Sequence, residues 1–144
     1  MRYNGAVSHV FDSAAIVYDR WYDTPEGSSV FADELCCLRS VAPVLAGDWV
    51  EVGVGTGRFA AALGIAEGLD SSPSMLALAE RRGIRIRVGS AENLPYAPRS
   101  LDGVLMVASL CFLRDVPRAL KECARVLRTT GTLLVGDIPS DGPW

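Results

Sequence analysis

Residues 49–59, WVEVGVGTGRF, decide the fold of this chain. The run from Trp49 to Val54 is apolar and rich in β-branched residues, which predicts a strand buried on both faces. The residues after it can begin a helix, and three glycines stand at alternate positions: Gly53, Gly55 and Gly57. A strand that turns through glycines into a helix brings backbone N–H groups and the positive end of a helix dipole to one point. The stretch therefore predicts a binding site for an anionic or strongly polar small molecule.

Glu51 is a carboxylate inside this predicted strand. Burying it is costly unless it is paired, and a ligand with an amino group would supply the partner. Two other interpretations of the glycines stay open. They are the turn residues of any strand-to-helix connection, or they belong to a nicotinamide or flavin dinucleotide fold. The fingerprint of that fold needs a small residue where this chain has Arg58, so the match is poor.

Composition limits the classes of function. The chain has 144 residues, enough for about one domain, and 49% of them are apolar while 22% are charged, which indicates a globular soluble protein. A net charge of -3 argues against nucleic acid as a partner. No apolar stretch reaches the ~20 residues that span a bilayer, and the N-terminus lacks the features of a signal peptide. We therefore expect a cytoplasmic protein without a membrane span.

Cysteine and histidine do not form a metal-binding pattern. The four cysteines contain no C-x-x-C pair, and His9 is the single histidine, so no zinc site is expected. Cys36 and Cys37 are neighbours in a helical stretch and are predicted to be reduced residues of the core or its boundary.

Residues 1–28 mix aromatic, charged and turn-forming residues. Such a segment cannot form much core alone, so we expect it to lie across the body of the domain. Its aromatic residues either pack a terminal helix or cover a pocket as a lid, with Tyr18, Trp21 and Tyr22 excluding water. The domain proper is predicted to be residues 29–144, beginning with a helix from Ser29 to about Leu45.

Strands and helices then alternate without a hairpin signal. Predicted strands cover residues 49–54, 65–70, 84–89, 100–108 and 132–138, and helices lie between most of them. The third strand alternates apolar residues with arginine, as an edge strand does. This pattern predicts an α/β fold: a doubly wound, Rossmann-like parallel sheet with helices on both faces.

The ends of these strands face one elongated ligand. In an open parallel sheet, ligands bind at the carboxyl ends of the strands near the point where the strand order reverses. Asp70 ends the second strand and can accept hydrogen bonds from both hydroxyls of a ribose, although a helix cap or a turn would also explain it. Residues 89–92 would meet the far end of a nucleoside, and residues 107–109 its other end. An adenosine-containing ligand is expected.

Six motifs in this order resemble those of class I S-adenosylmethionine-dependent methyltransferases: EVGVGTGRF, GLDSSPSML, GSAENLPY, SLDGVLMVASLCFLRD, RALKECARVLR and GTLLVGD. The resemblance covers about residues 45–138 and is strongest to the small-molecule group that includes the ubiquinone and menaquinone methyltransferases. The segment FDSAAIVYDRWYDT is similar to the N-terminal part of that group.

The resemblance implies S-adenosyl-L-methionine as cofactor, S-adenosyl-L-homocysteine as its product, and a role for each matching residue. Glycines at 53, 55 and 57 would approach the methionine part, and Glu51 would reach its amino group. Asp70 would hold the ribose. The remaining implied contacts are Ser71, Met75, Ala91 and Glu92 around the adenine, Val107 and Ser109 near the sulfonium, and Tyr18 in the lid.

Two departures from the family pattern affect these expectations. Ser90 stands where the family commonly has an aspartate that binds the adenine amino group, so adenine recognition would rest more on backbone. The family sheet has seven strands and this chain contains five, so we expect a C-terminally truncated sheet with an open edge. A partner protein or a second copy of the chain would cover that edge, and a second copy would give a homo-oligomer.

The resulting hypothesis is methyl transfer from S-adenosylmethionine to an unidentified small-molecule acceptor. Direct displacement from a sulfonium needs alignment and exclusion of water rather than a metal or a covalent residue. No residue is identified as a general base, since His9 is isolated in the terminal segment. The alternative is a truncated, non-catalytic module that binds the cofactor or oligomerises. A nucleotide-sugar or nicotinamide enzyme comes third.

Overall fold

The computed structural model describes residues 7–137, with side chains from residue 14. The chain begins with two helices, α1 (Val7–Trp21) and α2 (Pro25–Val41), before the first strand. The remaining elements alternate, with a 3₁₀ turn at Leu110–Phe112. They are β1 (Trp49–Val52), α3 (Arg58–Leu63), β2 (Glu67–Asp70), α4 (Pro73–Arg81), β3 (Arg85–Val88), β4 (Leu101–Val107), α5 (Val116–Val126) and β5 (Leu127–Gly136).

The five strands form one sheet in the order β3-β2-β1-β4-β5. Every neighbouring pair is parallel, which confirms the predicted α/β class and places β3 at an edge. The order runs outward in both directions from β1, which lies between β2 and β4. The carboxyl ends of β1 and β4 therefore form the crevice where a doubly wound sheet binds its ligands.

Helices cover both faces of the sheet, and alternate residues of each central strand enter opposite cores. One core combines Val104 and Met106 of β4 with Ala119, Cys123 and Val126 of α5. The other contains Leu105, the β4 residue between them, together with residues of α2, α3 and α4: Leu38, Phe59, Ala60, Leu76 and Ala79. Burial on both faces explains why β4 reads as a continuous apolar run. None of the helices within residues 7–137 is long and apolar enough to cross a membrane.

Helix α2 begins at Pro25, four residues before the predicted Ser29, and ends at Val41 rather than near Leu45. The side chain of Thr24 accepts a hydrogen bond from the Gly27 N–H, so the turn-forming residues at the end of the 1–28 segment start a helix. Threonine followed by proline at the first helical position is the sequence signal that could have found it. The predicted boundary between residues 28 and 29 thus falls inside a helix.

Strand β5 begins at Leu127, directly after α5, whereas the sequence predicted its start at residue 132. Leu127 pairs with Leu101, and the pairing then shifts so that Gly103 lies opposite Thr132. A bulge places extra, unpaired residues on one strand. Because these residues interrupt the alternation of apolar and polar positions, the alternation does not indicate where the strand starts. The predicted end of this strand, Ile138, lies outside the described residues.

The predicted burial of two cysteines was wrong, although both are free of a disulfide as predicted. Cys36 and Cys37 are free and exposed on α2, whereas Cys123 is the buried cysteine of α5. Helix α2 contacts the core through a narrow side that includes Leu38, so its neighbouring positions face solvent.

Candidate functional site

A cleft of about 450 Å³ opens at the carboxyl ends of the strands. Ten of the twelve residues predicted from sequence line it: Tyr18, Gly53, Gly55, Asp70, Ser71, Met75, Ala91, Glu92, Val107 and Ser109. Glu51 and Gly57 do not. The sequence prediction missed Phe112, Leu113 and Arg114, which follow β4 and line the cleft as well.

The loop between β1 and α3 is held by its own backbone N–H groups. The N–H groups of Gly53 and Val54 both donate to the Leu69 carbonyl, at 2.8 and 3.0 Å, and that of Gly57 donates to the Val54 carbonyl at 2.9 Å. The Gly55 N–H donates to Asp70 Oδ2 at 2.8 Å. The sequence suggested that N–H groups would converge unpaired on a ligand, but three of these four join the loop to β2, and that of Gly57 closes a turn within the loop.

The three glycines of this loop have different reasons to be glycine, although all have positive φ. A Cβ on Gly53 would lie 2.8 Å from the Cβ of Ser109, and a Cβ on Gly57 would lie 3.0 Å from Ala79. A Cβ on Gly55 would meet no atom within 4 Å. Because Gly55 also lines the cleft, a side chain there would occupy space open to a ligand. Gly57 serves the packing of the loop on α4.

Asp70 ends β2 at the floor of the cleft, and both its oxygens accept backbone hydrogen bonds. Oδ2 accepts from Gly55 at 2.8 Å, and Oδ1 accepts from Ser72 at 2.9 Å. A carboxylate offers about four lone-pair sites, so each oxygen retains capacity for a ligand hydroxyl. The helix-cap interpretation is thus partly correct, because Asp70 organises the turn into α4. The same bonds hold its carboxylate in one orientation toward the cleft.

Glu51 directly precedes the cleft-lining residues Val52 and Gly53 in the chain and is only 2% exposed. Its Oε2 is buried without a hydrogen-bond partner among the described residues. Burial raises its pKa well above the usual value, and nearby Asp70 raises it further, against the opposing effect of the Ala60 N–H that binds the carboxyl. A buried polar atom left unsatisfied in a native protein calls for an explanation, and a cationic ligand group would supply one.

Ser109 is a second buried polar residue at the same point. It is 8% exposed, its Oγ has no partner among the described residues, and it lies against Gly53. The residue before it, Ala108, has a φ of 46°, in the left-handed region that alanine rarely adopts. Strained backbone of this kind concentrates at functional sites, and here it turns the chain from β4 across the mouth of the cleft.

The opposite end of the cleft is formed by residues 90–92, which helix α5 holds in place. Glu122 accepts a hydrogen bond from the Leu94 N–H at 2.8 Å, and Arg125 donates to the carbonyls of Leu94 and Tyr96. Ala91 is buried and lines the cleft. Helix α5 therefore holds the loop that would meet a nucleoside base in a fixed position. The sequence did not indicate this role for the helix.

Glu92 is used mainly within the protein. Its Oε1 accepts the N–H groups of Arg114 and Asp115, and its Oε2 accepts the Ser90 hydroxyl at 2.8 Å. Burial opposes ionisation, but these hydrogen bonds outweigh it and lower the pKa of Glu92. The carboxylate joins the segment after β3 to the segment after β4, which shapes the cleft wall around the predicted adenine end.

Tyr18 is the cleft residue contributed by α1. Its hydroxyl lies 3.1 Å from that of Tyr22, and the two rings are in edge contact at 5.4 Å. Burial raises the pKa of Tyr18, so the phenol stays protonated. The helix thus presents a neutral aromatic wall to the cleft. The side chain of His9, the other titratable group considered in the N-terminal segment, lies outside the described part.

These groups can bind and orient an elongated ligand with an amino group, a diol and an aromatic base. The two carboxylates that line the cleft, Asp70 and Glu92, already accept backbone N–H groups. Among the described residues that line the cleft, none is arranged as a proton acceptor for an incoming substrate. The arrangement suits chemistry that depends on alignment and exclusion of water.

Comparisons with known proteins of similar sequence point to one protein family. The family model described as "Methyltransferase domain" matches residues 50–135. An uncharacterized protein of Mycobacterium tuberculosis is 41% identical over 130 residues, covering 90% of this chain and 46% of that protein. The demethylmenaquinone methyltransferase of Thermotoga maritima is 41% identical over 70 residues, covering 47% of this chain and 31% of that enzyme.

A solved structure resembles the whole arrangement of elements. It is a SAM-dependent methyltransferase, possible histamine N-methyltransferase, from Thermotoga maritima, with a TM-score of 0.81 and 39% identity. The match covers 88% of this chain and 59% of that one. The chain spans about half the length of the curated relatives it matches, with 46% of the Mycobacterium tuberculosis protein covered.

Proposed function

The chain belongs to the methyltransferase domain family, and from this premise we propose that it binds S-adenosyl-L-methionine in the cleft and transfers a methyl group to a small-molecule acceptor. The acceptor class is supported by two relatives: one is a demethylmenaquinone methyltransferase, and another is a possible histamine N-methyltransferase. The acceptor of this chain is unidentified.

The observation that carries the proposal is the pair of buried, unsatisfied polar atoms beside the glycine loop. Glu51 Oε2 and Ser109 Oγ both lack partners among the described residues; Ser109 lies against Gly53, and Glu51 stands two residues before Gly53 in the chain. The methionine end of the cofactor carries an ammonium and a carboxylate, which can pair with a carboxylate and a hydroxyl respectively. A nicotinamide dinucleotide has no amino acid group to satisfy these two atoms.

The other cleft residues fit the rest of the cofactor. Asp70 would accept hydrogen bonds from the ribose hydroxyls, and Met75, buried at the cleft floor, would pack near the adenine. The Ala91 N–H is our candidate donor to the ring. Ser71 and Glu92 would border the adenine side, while Val107 would lie near the sulfonium.

When bound, the cofactor supplies a methyl group on a sulfonium, which is a good leaving group. The chain's own contribution is to hold the reacting groups in line and keep water out. Tyr18, Phe112 and Leu113 line the cleft and provide apolar surface for the second task. No proton acceptor is assigned, so the proposed acceptor is one that is already nucleophilic at neutral pH.

Calorimetric titration with S-adenosylhomocysteine, run beside NAD and adenosine, tests the cofactor assignment. We expect a dissociation constant on the order of micromolar for S-adenosylhomocysteine and no binding of NAD. Adenosine should bind more weakly because it cannot reach Glu51. Binding of NAD without binding of S-adenosylhomocysteine would contradict the proposal, and so would a chain that binds neither of the two.

Turnover is then tested by transfer of labelled methyl groups to a quinol and to histamine. Binding of the cofactor without transfer to any acceptor favours the non-catalytic alternative.

Replacing Asp70 by alanine is expected to weaken S-adenosylhomocysteine binding by about 1.5–3 kcal/mol, the scale of hydrogen bonds to a charged group. Titration calorimetry measures the change. The matched control is Asp102→Ala, because Asp102 also accepts a backbone N–H, from Asp48 at 2.7 Å, but lies at the opposite end of β4. That variant should lose stability and keep its affinity. Unchanged affinity in Asp70→Ala would contradict the ribose assignment.

The open edge of the sheet leads to a prediction about assembly. Strand β5 pairs with β4 on one side and is the last strand of the described sheet. We propose that a second copy of the chain covers this edge, because unpaired strand edges favour pairing with another chain. Light scattering of the purified 144-residue chain should report a dimer or larger species, and a monomer at all concentrations would refute this assembly.

A further inference from the structure

Three elements meet at a cluster of ion pairs behind the cleft, formed by Asp19, Arg58 and Arg82. Arg58 Nε lies 2.8 Å from Asp19 Oδ1, and Arg82 Nη2 lies 2.9 Å from Asp19 Oδ2. Arg58 Nη2 also donates to the Asp19 backbone carbonyl at 2.8 Å and pairs with Asp23 at 2.9 Å. Both oxygens of one α1 carboxylate are thereby held by arginines of the domain body. We call these three residues the arginine clamp.

The arginine clamp reaches the glycine loop directly. Arg58 is the first residue of α3 and follows Gly57, while Arg82 donates to the Thr56 backbone carbonyl at 2.9 Å. The Thr56 side chain hydrogen-bonds to Asp19. Residues 56–58 are therefore tied to α1 by three separate interactions. Arg58, the residue that does not match a dinucleotide fingerprint, binds Asp19 of α1 from the first position of α3.

The ion pairs of the arginine clamp are largely shielded from water, which strengthens the attraction between the charges. The side chains of Asp19, Arg58 and Arg82 are 15%, 17% and 26% exposed. Although burial alone would raise it, hydrogen bonds from Arg58, Thr56 and Arg82 lower the pKa of Asp19 to about 2. The pair Arg128–Asp102, at the opposite end of the sheet, has exposures of 42% and 34%. Exposed pairs contribute little, whereas breaking a buried pair leaves an uncompensated charge.

The clamp also fixes the residue that faces the cleft. Tyr18 precedes Asp19 in α1 and lines the cleft, and its hydroxyl contacts that of Tyr22 at 3.1 Å. The Arg58 guanidinium lies over the Tyr22 ring at 5.4 Å from its centroid. Fixing Asp19 therefore fixes the orientation of α1 from which Tyr18 projects.

We propose that the arginine clamp holds α1 as the closed wall of the cofactor cleft, so that release of bound cofactor requires α1 to separate from the glycine loop. This inference rests on the proposed function for the identity of the ligand. Arg58 and Asp19 are then positioning residues, which act on the cofactor through α1 and Tyr18. Loss of the clamp contacts raises the dissociation rate of the cofactor and leaves its association rate nearly unchanged.

The experiment compares Arg58→Ala with the control Arg128→Ala in the full chain. Stopped-flow fluorescence measures the association and dissociation rates of S-adenosylhomocysteine, and amide hydrogen exchange measures the protection of α1 in the free protein. We expect Arg58→Ala to speed dissociation roughly tenfold or more, with little change in the association rate. Protection of α1 should fall. Arg128→Ala should change neither, although both variants can lower the melting temperature.

A conservative variant separates positioning from general destabilisation. Arg58→Lys keeps the charge but cannot repeat the two-point contact with Asp19, so its dissociation rate should lie between those of Arg58→Ala and the original chain. Asp19→Asn combined with Arg58→Ala should have less than the sum of the two single effects, because both variants remove the Arg58–Asp19 ion pair, while only Asp19→Asn also weakens the contact with Arg82. Full additivity of the two changes would overturn the proposal.

Two readouts keep this test distinct from that of the proposed function. If the original chain does not bind S-adenosylhomocysteine, the proposed function fails, and the cofactor part of this proposal fails with it. The exchange measurement on the free protein still decides whether the clamp holds α1. Unchanged protection and an unchanged dissociation rate in Arg58→Ala would overturn the clamp itself while leaving cofactor binding intact.

Discussion

Gly55→Val is expected to lower the affinity for S-adenosylhomocysteine roughly 100-fold or more while the protein stays folded. Gly55 lines the cleft, and a Cβ built on it meets no atom within 4 Å, so a side chain there fills space intended for ligand instead of clashing with the protein. Its φ of 52° is left-handed, so the β-branched residue also strains the loop by about 1–3 kcal/mol. Titration calorimetry gives the affinity, and thermal unfolding gives the stability.

Gly83→Val is the matched control for this strain. Gly83 has a φ of 82°, and a Cβ there also meets no atom within 4 Å, but it lies beyond α4 and not in the cleft. It should lose a similar amount of stability and retain its affinity. Gly57→Val should instead lose stability through contact with Ala79. If Gly55→Val binds S-adenosylhomocysteine like the original chain, the loop does not border the ligand.

Glu51→Gln is expected to stabilise the free protein and weaken the cofactor complex. The glutamine keeps a carbonyl oxygen that can accept the Ala60 N–H, and it removes the carboxylate whose Oε2 is buried without a partner among the described residues. Relief of that burial should raise the free energy of unfolding at about pH 8 on the order of 1–3 kcal/mol. Loss of the charge should lower the affinity for S-adenosylhomocysteine about 10- to 100-fold, since a charge-assisted hydrogen bond to its amino group is lost.

The pH dependence of stability gives an independent test of the Glu51 environment. Burial raises the pKa of Glu51 in the folded protein above the value of 4.5 that it takes in an unfolded chain. Between these two values the unfolded state binds fewer protons than the folded state, so the free energy of unfolding falls as pH rises through this window. This contribution should be present in the original chain and absent from Glu51→Gln. Parallel pH profiles of the two proteins would contradict it.

Cofactor binding should release a proton from Glu51. Pairing with an ammonium lowers the raised pKa of the carboxyl, so at a pH between the pKa in the complex and that in the free protein a proton leaves on binding. Calorimetry in buffers with different ionisation enthalpies counts the protons released. We expect release in the original chain and less in Glu51→Gln. Equal proton counts in the two proteins would place the ammonium elsewhere.

Local patterns predicted most of the fold because each depends on neighbouring residues. The continuous apolar run of β4 indicated burial on both faces, and the alternation of arginines in β3 indicated an edge. Ser72 caps α4 with its side chain, and serine is among the residues preferred at that position. The start of α2 at Pro25 was missed although its signal is local, and the start of β5 was missed because a bulge depends on the partner strand.

The location of the site followed from the same reasoning, since ligands of a doubly wound sheet bind where the strand order reverses. Ten of twelve predicted residues line one cleft because strand ends that are far apart in sequence meet at one edge of the sheet. The roles of those residues remain predictions. The residues Phe112 to Arg114 were missed because they follow the strand in an irregular segment, where spacing carries no periodic signal.

The sequence by itself determined the α/β class, the order of strands and helices, and the edge of the sheet at which the cleft opens. These properties follow from periodicity and turn chemistry, which act over a few residues. Only the tertiary structure decided that Gly57 packs on α4, that Glu92 joins two segments, and that Arg58 binds Asp19 of α1. Arg58 and Asp19 are 39 residues apart, and a contact over that separation depends on how whole helices pack.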